Sequence, residues 1–398
     1  MKKSHFICLI GFFLVLNSCK NENKASKQPE TAPLELAEQQ VSLQLIQAQK
    51  ANKIPRTISA DGEMHWTNAK FDWTEGFFPG SLWYLYKATK DDKWKDAAES
   101  FQDLFEEHKY LTTNHDLGFI FNCSYGNGYE LTNNADFAEV MVTAADSLST
   151  RFNPTIGSIK SWDVDRGWQS ERNWMIPVII DNMMNLELLF KASELTENQR
   201  FKDIAITHAN TTLKNHFREN NSSYHVVDYD PLTGSVRAKE TAQGFADESA
   251  WARGQAWGLY GFTVCYRFTK DVRYLNQAKK IAKFILDHKP EDGIPYWDYN
   301  AAKIPNEPKD VSAATIIVSA LIELDGYTKN SFRSDIDQIM NALSSETYTA
   351  TIGENHNFIL KHSVGSIPHG NEIDVPLNYA DYYYLEALLR YRESYETN

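Results

Sequence analysis

Three short stretches of this chain carry one pattern. "DDKWKDAA" places Asp91 three residues before Trp94 and Ala98 four residues after it. "NQRFKDIA" sets Asn198, Phe201 and Ala205 at the same offsets, and "DVRYLNQA" sets Asp271, Tyr274 and Ala278. Each opens an amphipathic helix with Lys, Asp and Gln on its outer side. Each also follows an apolar, aromatic-rich helix: "GSLWYLYKAT", "NMMNLELLFKA" or "GLYGFTVCYRF". A helix that is apolar on most faces has to be buried, and an amphipathic one can cover it. Repeated in this order, the two make stacked helical hairpins. The spacing between copies is too irregular for a tetratricopeptide solenoid. From about residue 35 onward the periodicity is helical, and strand-like alternation is short and scattered. The pattern predicts a closed double ring, apolar helices inside and amphipathic helices outside, with the loops at one end of the inner ring forming a pocket.

The first residues are of another kind. Lys2 and Lys3 precede an apolar run, Phe6–Leu16, that ends in "LNSC". The run is too short for an ordinary membrane span and has the flanks of a signal peptide. A small residue followed by Cys resembles a bacterial lipoprotein cleavage site, with Cys19 acylated; an ordinary secretory signal is the alternative. Residues 20–34, "KNENKASKQPETAPL", are polar and read as a flexible tether. The expected organisation is therefore a leader over 1–19, a tether over 20–34 and one catalytic-size domain over 35–398. The only membrane contact expected is the lipid anchor, and the expected location is the bacterial periplasm or outer membrane. Cys123 and Cys265 remain in the mature fold, too few for a disulfide framework, and no Cys/His spacing suggests zinc. No cofactor and no metal are expected.

"MIPVIIDNMMNLELLF", residues 175–190, is nearly all apolar but holds Asp181 in its middle. Pro177 suits the first turn of a helix, which would place Asp181 about one turn inside it. A buried carboxylate is either paired, or stays neutral with a raised pKa. A satisfied structural aspartate and a working acid both fit this stretch alone.

Polar residues cluster at the ends of the other apolar helices. "NHDLGFIFNCSYGNGY" offers His115 and Asp116, "SIKSWDVD" offers Trp162, and "SSYHVVDYD" offers His225. "ETAQGFADESAWARGQAWGLYGF" offers Gln243, Trp251, Arg253 and Trp257, with Ser249 or the acidic pair before it available as a helix cap. A cation beside Trp rings can seat a carboxylated sugar, the guanidinium taking the carboxylate and the rings the apolar face. The alternatives are an ion pair from Arg253 to Glu248 or Asp247, and plain core packing for the Trp residues. The 10 Trp and 20 Tyr exceed what a core needs, although large helical cores also absorb them. A formal net charge of −13 argues against nucleic-acid binding, and any anionic substrate must be met by local cations.

Taken together, "DWTEGFFPGSLWYLY", "HDLGF", "IDNMMNLELL", "SAWARGQAWGLYGF" and "NYADYYYLEALLRY" resemble the unsaturated glucuronyl hydrolases, glycoside hydrolase family 88, over almost all of the mature chain. The resemblance implies an all-α (α/α)6 toroid of six helical hairpins. It implies that Asp116 and Asp181 are the catalytic carboxylates, and that His225, Gln243, Trp251, Arg253 and Trp257 surround the unsaturated ring. Trp162 matches an aromatic on the leaving-sugar side, and His115 precedes the first aspartate. Where family members often have Trp in the first motif, this chain has Phe78, which alters stacking there.

The implied substrate is an oligosaccharide capped by the 4,5-unsaturated uronic acid that polysaccharide lyases leave. Protonation at C4 gives an oxocarbenium-like centre at C5, water adds, and the resulting hemiketal rearranges to expel the rest of the chain. This needs one group that gives a proton and later receives one, not the usual retaining or inverting pair. The resemblance assigns that work to Asp181, with Gln243 holding the water and Asp116 binding hydroxyls and biasing the charge of Asp181. Competing readings are a family 105 type unsaturated rhamnogalacturonyl hydrolase, an ordinary carboxylate-pair glycosidase, and a non-enzymatic glycan-binding lipoprotein. The loop "KHSVGSIPHGNE", residues 361–372, offers Ser363 and Ser366 to a sulfate on the leaving sugar, or is simply a polar surface loop.

Overall fold

The computed structural model describes Met1 and residues 32–396. The expected leader, Cys19 and the tether through residue 31 lie outside the described residues. Helix α1 (Pro33–Ala51) begins two residues before the expected domain start. Its first residue is a proline, whose fixed φ and missing N–H suit a first helical turn.

Six inner segments form a ring: α2 (Phe77–Thr89), the π-helix Gly118–Gly126 continued by α4 (Asn127–Thr132), α6 (Leu186–Thr196), α8 (Ala252–Thr269), α10 (Val311–Tyr327) and α12 (Asn378–Tyr391). Each packs on the next, and α12 packs on α2, so the ring closes. The outer ring is α3 (Asp92–Gln102), α5 (Ala135–Ser149), α7 (Gln199–Asn215), α9 (Val272–His288), α11 (Arg333–Leu343) and α1, which pairs with α12 and joins the two ends of the toroid. The architecture is the (α/α)6 toroid.

The repeated sequence pattern is the turn between the rings. Asp91, Asn198 and Asp271 cap α3, α7 and α9, each side chain accepting the N–H two residues on at 3.0, 3.1 and 2.9 Å. A fourth hairpin does the same with Asn134 on α5 at 3.0 Å. Before each cap stands a residue in the left-handed region, Lys90, Asn133, Glu197 or Lys270. Before that stands a threonine, Thr89, Thr132, Thr196 or Thr269. Each Oγ1 donates to the carbonyl four residues back and accepts the cap residue's N–H. The hydroxyl thus satisfies groups that a helix end and a tight turn leave open. Trp94, Phe201 and Tyr274 are buried three residues after their caps, and Ala98, Ala205 and Ala278 are buried four residues further on. The α5 copy escaped the sequence pattern because Met141 stands where the others have Ala.

The expected helix from Pro177 is corrected by the structure. Ile176–Ile179 is a strand, antiparallel to Val226–Tyr229, which pairs in turn with Val236–Glu240. The β-branched run favours extended backbone, and Pro177 is tolerated because its strand is at the edge of the three-stranded sheet. Asp181 is the second residue of a short 3₁₀ turn, Ile180–Asn185, that leads from this strand into α6. Cys123 and Cys265 are both free and buried.

Candidate active site

The inner segments begin at one end of the toroid, and the described strands and loops gather there. A cavity of about 870 Å³ opens at this end. Of the residues singled out from sequence, His115, Asp116, Trp162, Asp181, Gln243, Arg253 and Ser366 line it. Asp116 lies just before the π-helix, Asp181 in the turn before α6, and Arg253 in the first turn of α8.

Both carboxylates are 9 % exposed. Burial, reinforced by the charge of Asp181, pushes the Asp116 carboxyl up to about 8, with Arg151 opposing. Burial pushes Asp181 up to about 7 against the Arg253 guanidinium. Near neutral pH the pair therefore retains a proton between its members, and it titrates as a pair. His225 faces Asp181, Nε2 to Oδ2, at 3.7 Å, and neither atom has a hydrogen-bond partner among the described residues. Its Nδ1 accepts the N–H groups of Ala242 and Gln243 at 3.1 and 3.2 Å. Burial and Arg253 hold His225 far below its ordinary pKa, so it is neutral. With Nδ1 occupied as an acceptor, its single proton is on Nε2, toward Asp181. His115 faces Asp116, Nε2 to Oδ1, at 3.4 Å. Burial and Arg151 push it down to about 3, so it too is neutral.

Arg253 pairs with neither Glu248 nor Asp247. Its Nη1 donates to Asp310 Oδ2 at 2.9 Å and to the Val364 carbonyl, and its Nη2 donates to the Gly365 carbonyl at 2.5 Å. These bonds leave Nε and the second Nη2 proton for a ligand. Trp251 lies beneath the guanidinium, 4.5 Å from ring centroid to Cζ, and packs on His225 at 4.6 Å. Trp251 and His225 therefore form the backing of the cavity rather than its wall. Gln243 reaches from the rim to the Gly365 carbonyl, Nε2 to O, at 3.4 Å. Trp162 stacks on Trp174 at 5.7 Å and meets Trp168 edge-on at 5.1 Å.

Besides Trp251 and His225, three more expected positions lie away from the cavity wall. Phe78 packs edge-on against Phe101 of α3 at 5.1 Å, inside the core. The ring that lines the cavity from that motif is Trp73, which precedes α2 and packs on Tyr379 at 5.0 Å. Trp257 is buried between Phe119 and Tyr383, at 5.0 and 5.7 Å, and does not line the cavity. Ser363 is fully buried at the start of the wholly buried strand Ser363–Ser366, and its Oγ has no hydrogen-bond partner among the described residues. Ser366 does line the cavity, and its Oγ bonds His369 Nδ1 at 2.7 Å.

Sequence reasoning missed Trp73 and Tyr379, although both stand in quoted motifs. It also missed Trp168 and His369, which meet across the mouth at 4.9 Å, and the Arg56 bridge between Asp72 and Glu372. Arg56 and Trp168 lie outside every quoted stretch, whereas Asp72, His369 and Glu372 stand inside quoted ones without a local pattern that marks their role. Among the described residues no three His, Cys, Asp or Glu side chains gather as metal ligands.

Known proteins resemble this chain in sequence and in fold. Residues 47–395 match the profile of Glycosyl Hydrolase Family 88. An unsaturated glucuronyl hydrolase of Formosa agariphila is 42 % identical over 98 % of each chain. An unsaturated chondroitin disaccharide hydrolase of Streptococcus agalactiae is 31 % identical over 82 % of each. The solved structure of an unsaturated glucuronyl hydrolase specific for heparin superposes with a TM-score of 0.86 at 44 % identity, covering 92 % of this chain and 98 % of that one. The chain belongs to glycoside hydrolase family 88.

Proposed function

We propose that this enzyme removes the 4,5-unsaturated uronic acid from the non-reducing end of lyase-generated oligosaccharides by hydrating the C4=C5 bond. The observation that carries the reading is a buried carboxylate pair, Asp116 and Asp181, lining the cavity beside a guanidinium with free donors, with burial pushing both carboxyls up. The ring carboxylate is on C5, so its docking on Arg253 brings the double bond to the neighbouring Asp181. The docked anion also offsets the positive charge that opposes protonation of Asp181, so substrate itself favours the acid form.

Asp181 then gives its proton to C4, and the electron pair of the double bond forms the new C–H bond. The positive charge left at C5 is shared with the ring oxygen. Water, held by Gln243, adds its oxygen to C5 and returns a proton to the Asp181 carboxylate. The hemiketal opens to a C5 ketone, C1 releases the remaining sugar as an alcohol, and the acid is ready again. Neutral His225, with its Nε2–H toward Asp181, accommodates the carboxylate between the two proton transfers without neutralising the acid beforehand. Asp116 binds ring hydroxyls and keeps the shared proton on the pair. Trp162, and Ser366 with His369, face the leaving sugar, where a sulfate would be met.

Membership in family 88 favours hydration over the family 105 type, ordinary glycosidase and glycan-binding readings. The leader with Lys2, Lys3 and Cys19 supports a lipid-anchored enzyme of the periplasm or outer membrane, acting after a lyase, since β-elimination is the chemistry that creates the double bond. Unsaturated disaccharides of heparin and chondroitin type, sulfated and not, are the assay. Loss of the conjugated double bond's ultraviolet absorbance on addition of enzyme supports the proposal. Persistence of that absorbance with every member of the panel, or with free sugar released and the double bond intact, contradicts it.

A further inference from the structure

We propose that Asn185 is a positioning residue whose one side chain locks the segment carrying Asp116 onto the segment carrying Asp181. The inference rests on the reading of these two aspartates as the reacting pair. Asn185 is fully buried and ends the 3₁₀ turn that holds Asp181. Its Oδ1 accepts the N–H of Gly118 at 2.8 Å and that of Phe119 at 3.2 Å. Those are the opening N–H groups of the π-helix that follows Asp116, donors that a buried helix start leaves without a partner. Because Oδ1 faces two backbone donors, the orientation of the amide is settled. Nδ2 points the other way, to His115 Nδ1 at 3.4 Å and Asn182 Oδ1 at 3.5 Å. Asn182 in turn donates to the Ile159 carbonyl at 2.7 Å, tying the turn to the loops behind it.

The glycine beside this amide is part of the same device. A Cβ on Gly118 would come within 2.4 Å of Asn185 Cα, so the two backbones approach as closely as only glycine allows. A π-helix is uncommon and tends to occur where a backbone has been re-aimed for function. Here it begins two residues after Asp116, at the point that Asn185 holds. One side chain therefore sets the spacing of the pair from both sides: the backbone after Asp116 through Oδ1, and the His115 ring that faces Asp116 through Nδ2. "DLG" and "DNMMN" read as one unit in this light.

The pair has other charged and titratable neighbours. Asp116 is faced by Asp181, His115, Arg151 and Asp72, and Asp181 by Arg253 and His225. Spacing is one contribution among these, and the two limbs of the pH–rate profile report it. The test compares Asn185→Ala and Asn185→Asp with the parent chain on an unsaturated disaccharide, measuring kcat and KM across both limbs together with Tm. In Asn185→Ala the pair separates and its members repel less. The expected result is a kcat lower by about 10²-fold with KM little changed, and an alkaline limb displaced to lower pH by at least about half a unit. Asn185→Asp keeps both backbone bonds but adds a negative charge beside the pair, so its alkaline limb is expected to move to higher pH. Limbs unchanged in both variants, with activity lost only as Tm falls, would show Asn185 to be packing and overturn the inference. If Asn185→Ala does not fold, Asn185→Asp carries the test alone, and an unshifted limb in it has the same meaning. Asp181→Asn separates this result from the reading beneath it. Turnover retained in that variant defeats the acid pair itself, whereas an inactive Asp181→Asn with unshifted Asn185 limbs defeats only the role of Asn185.

Discussion

At the end of the toroid where the inner segments begin, Asp116 and Asp181 are buried with no Lys or Arg in contact among the described residues, and both carboxyls are pushed up into the neutral range. At the opposite end, where those helices finish, a second cavity of about 360 Å³ is also lined by buried carboxylates, among them Glu187 and Glu386. There burial pushes Glu187 up too, but Lys191, Arg267 and Arg390 outweigh it and hold the carboxyl at about 2. Arg267 bridges Glu187 and Glu323, and Arg390 bridges Glu323 and Glu386. Helix direction accounts for part of the contrast. Carbonyl ends converge at the second cavity and favour cations, and Lys87, Arg267 and Arg390 stand in last turns of α2, α8 and α12. Phe119 lines both cavities, so one aromatic floor separates them. Equal burial thus has two outcomes: paired, a carboxylate holds the ring together; unpaired, it keeps a proton that chemistry can use.

The strongest way to break this comparison is Asp181→Asn. The amide keeps shape and hydrogen bonding but can neither give nor recover a proton, so kcat should fall by about 10²–10⁴-fold with KM nearly unchanged. Folding should respond in the other direction. The folded pKa of Asp181, about 7, lies above the unfolded value of about 3.9, so the folded chain binds the extra proton and loses stability as pH rises through that window. Asp181→Asn should therefore raise Tm at alkaline pH and leave it unchanged well below the unfolded pKa. Near-parent activity, or a lowered Tm, would place Asp181 among the paired carboxylates.

Arg253→Ala should cost both affinity and stability. The ring carboxylate loses a charge-assisted partner worth about 1.5–3 kcal/mol, which KM reports. Asp310 is left buried without its guanidinium, and breaking such a pair costs about 3–5 kcal/mol, which denaturant titration reports. Restored stability without restored affinity in Arg253→Met/Asp310→Asn would separate the two effects. Unchanged KM in a folded Arg253→Ala would remove the residue from substrate binding.

Glu187→Gln sharpens the other half. Its effect belongs in stability, a loss of about 1–3 kcal/mol, with kcat at neutral pH unchanged. The folded pKa of about 2 lies below the unfolded value of about 4.3, so this stabilisation is present above the unfolded pKa and fades as pH falls through the folded one. Acid melts of the parent and the variant should therefore converge as pH is lowered. A changed alkaline limb of activity in Glu187→Gln would mean that the aromatic floor does not separate the two ends. The smallest effect is expected from Ser363→Ala. The hydroxyl is buried and has no partner among the described residues, so its loss should leave kinetics on sulfated and unsulfated substrates alike, with Tm equal or slightly raised. A selective loss on sulfated substrates would return Ser363 to the leaving-sugar site.

The ring architecture was legible because its turn chemistry is local. Asp91, Asn198 and Asp271 cap helices whatever lies around them, and the aromatic three residues later marks the buried face. Asp181 was legible as an oddity, a charge in an apolar run, but its backbone was misread, since a β-branched stretch of this length fits strand and buried helix equally. Phe78 and Trp73 occupy one motif, and only the course of the chain before α2 decides which ring reaches the cavity. Ser363 and Ser366 show the same limit at a strand, where a bulge beside Ser363 breaks the register and only Ser366 lines the cavity. Arg253 was chosen for its chemistry, but its partner Asp310 is 57 residues away and no spacing announces it.

The central claim is that the unpaired carboxylate end delivers a proton to C4 of an unsaturated uronic acid. Turnover in heavy water enriched in ¹⁸O, followed by NMR and mass spectrometry of the earliest product, reads it directly. The account predicts one deuterium at C4 and the solvent oxygen at C5. A product with C4 unlabelled, the double bond intact and ¹⁸O at C1 would contradict it.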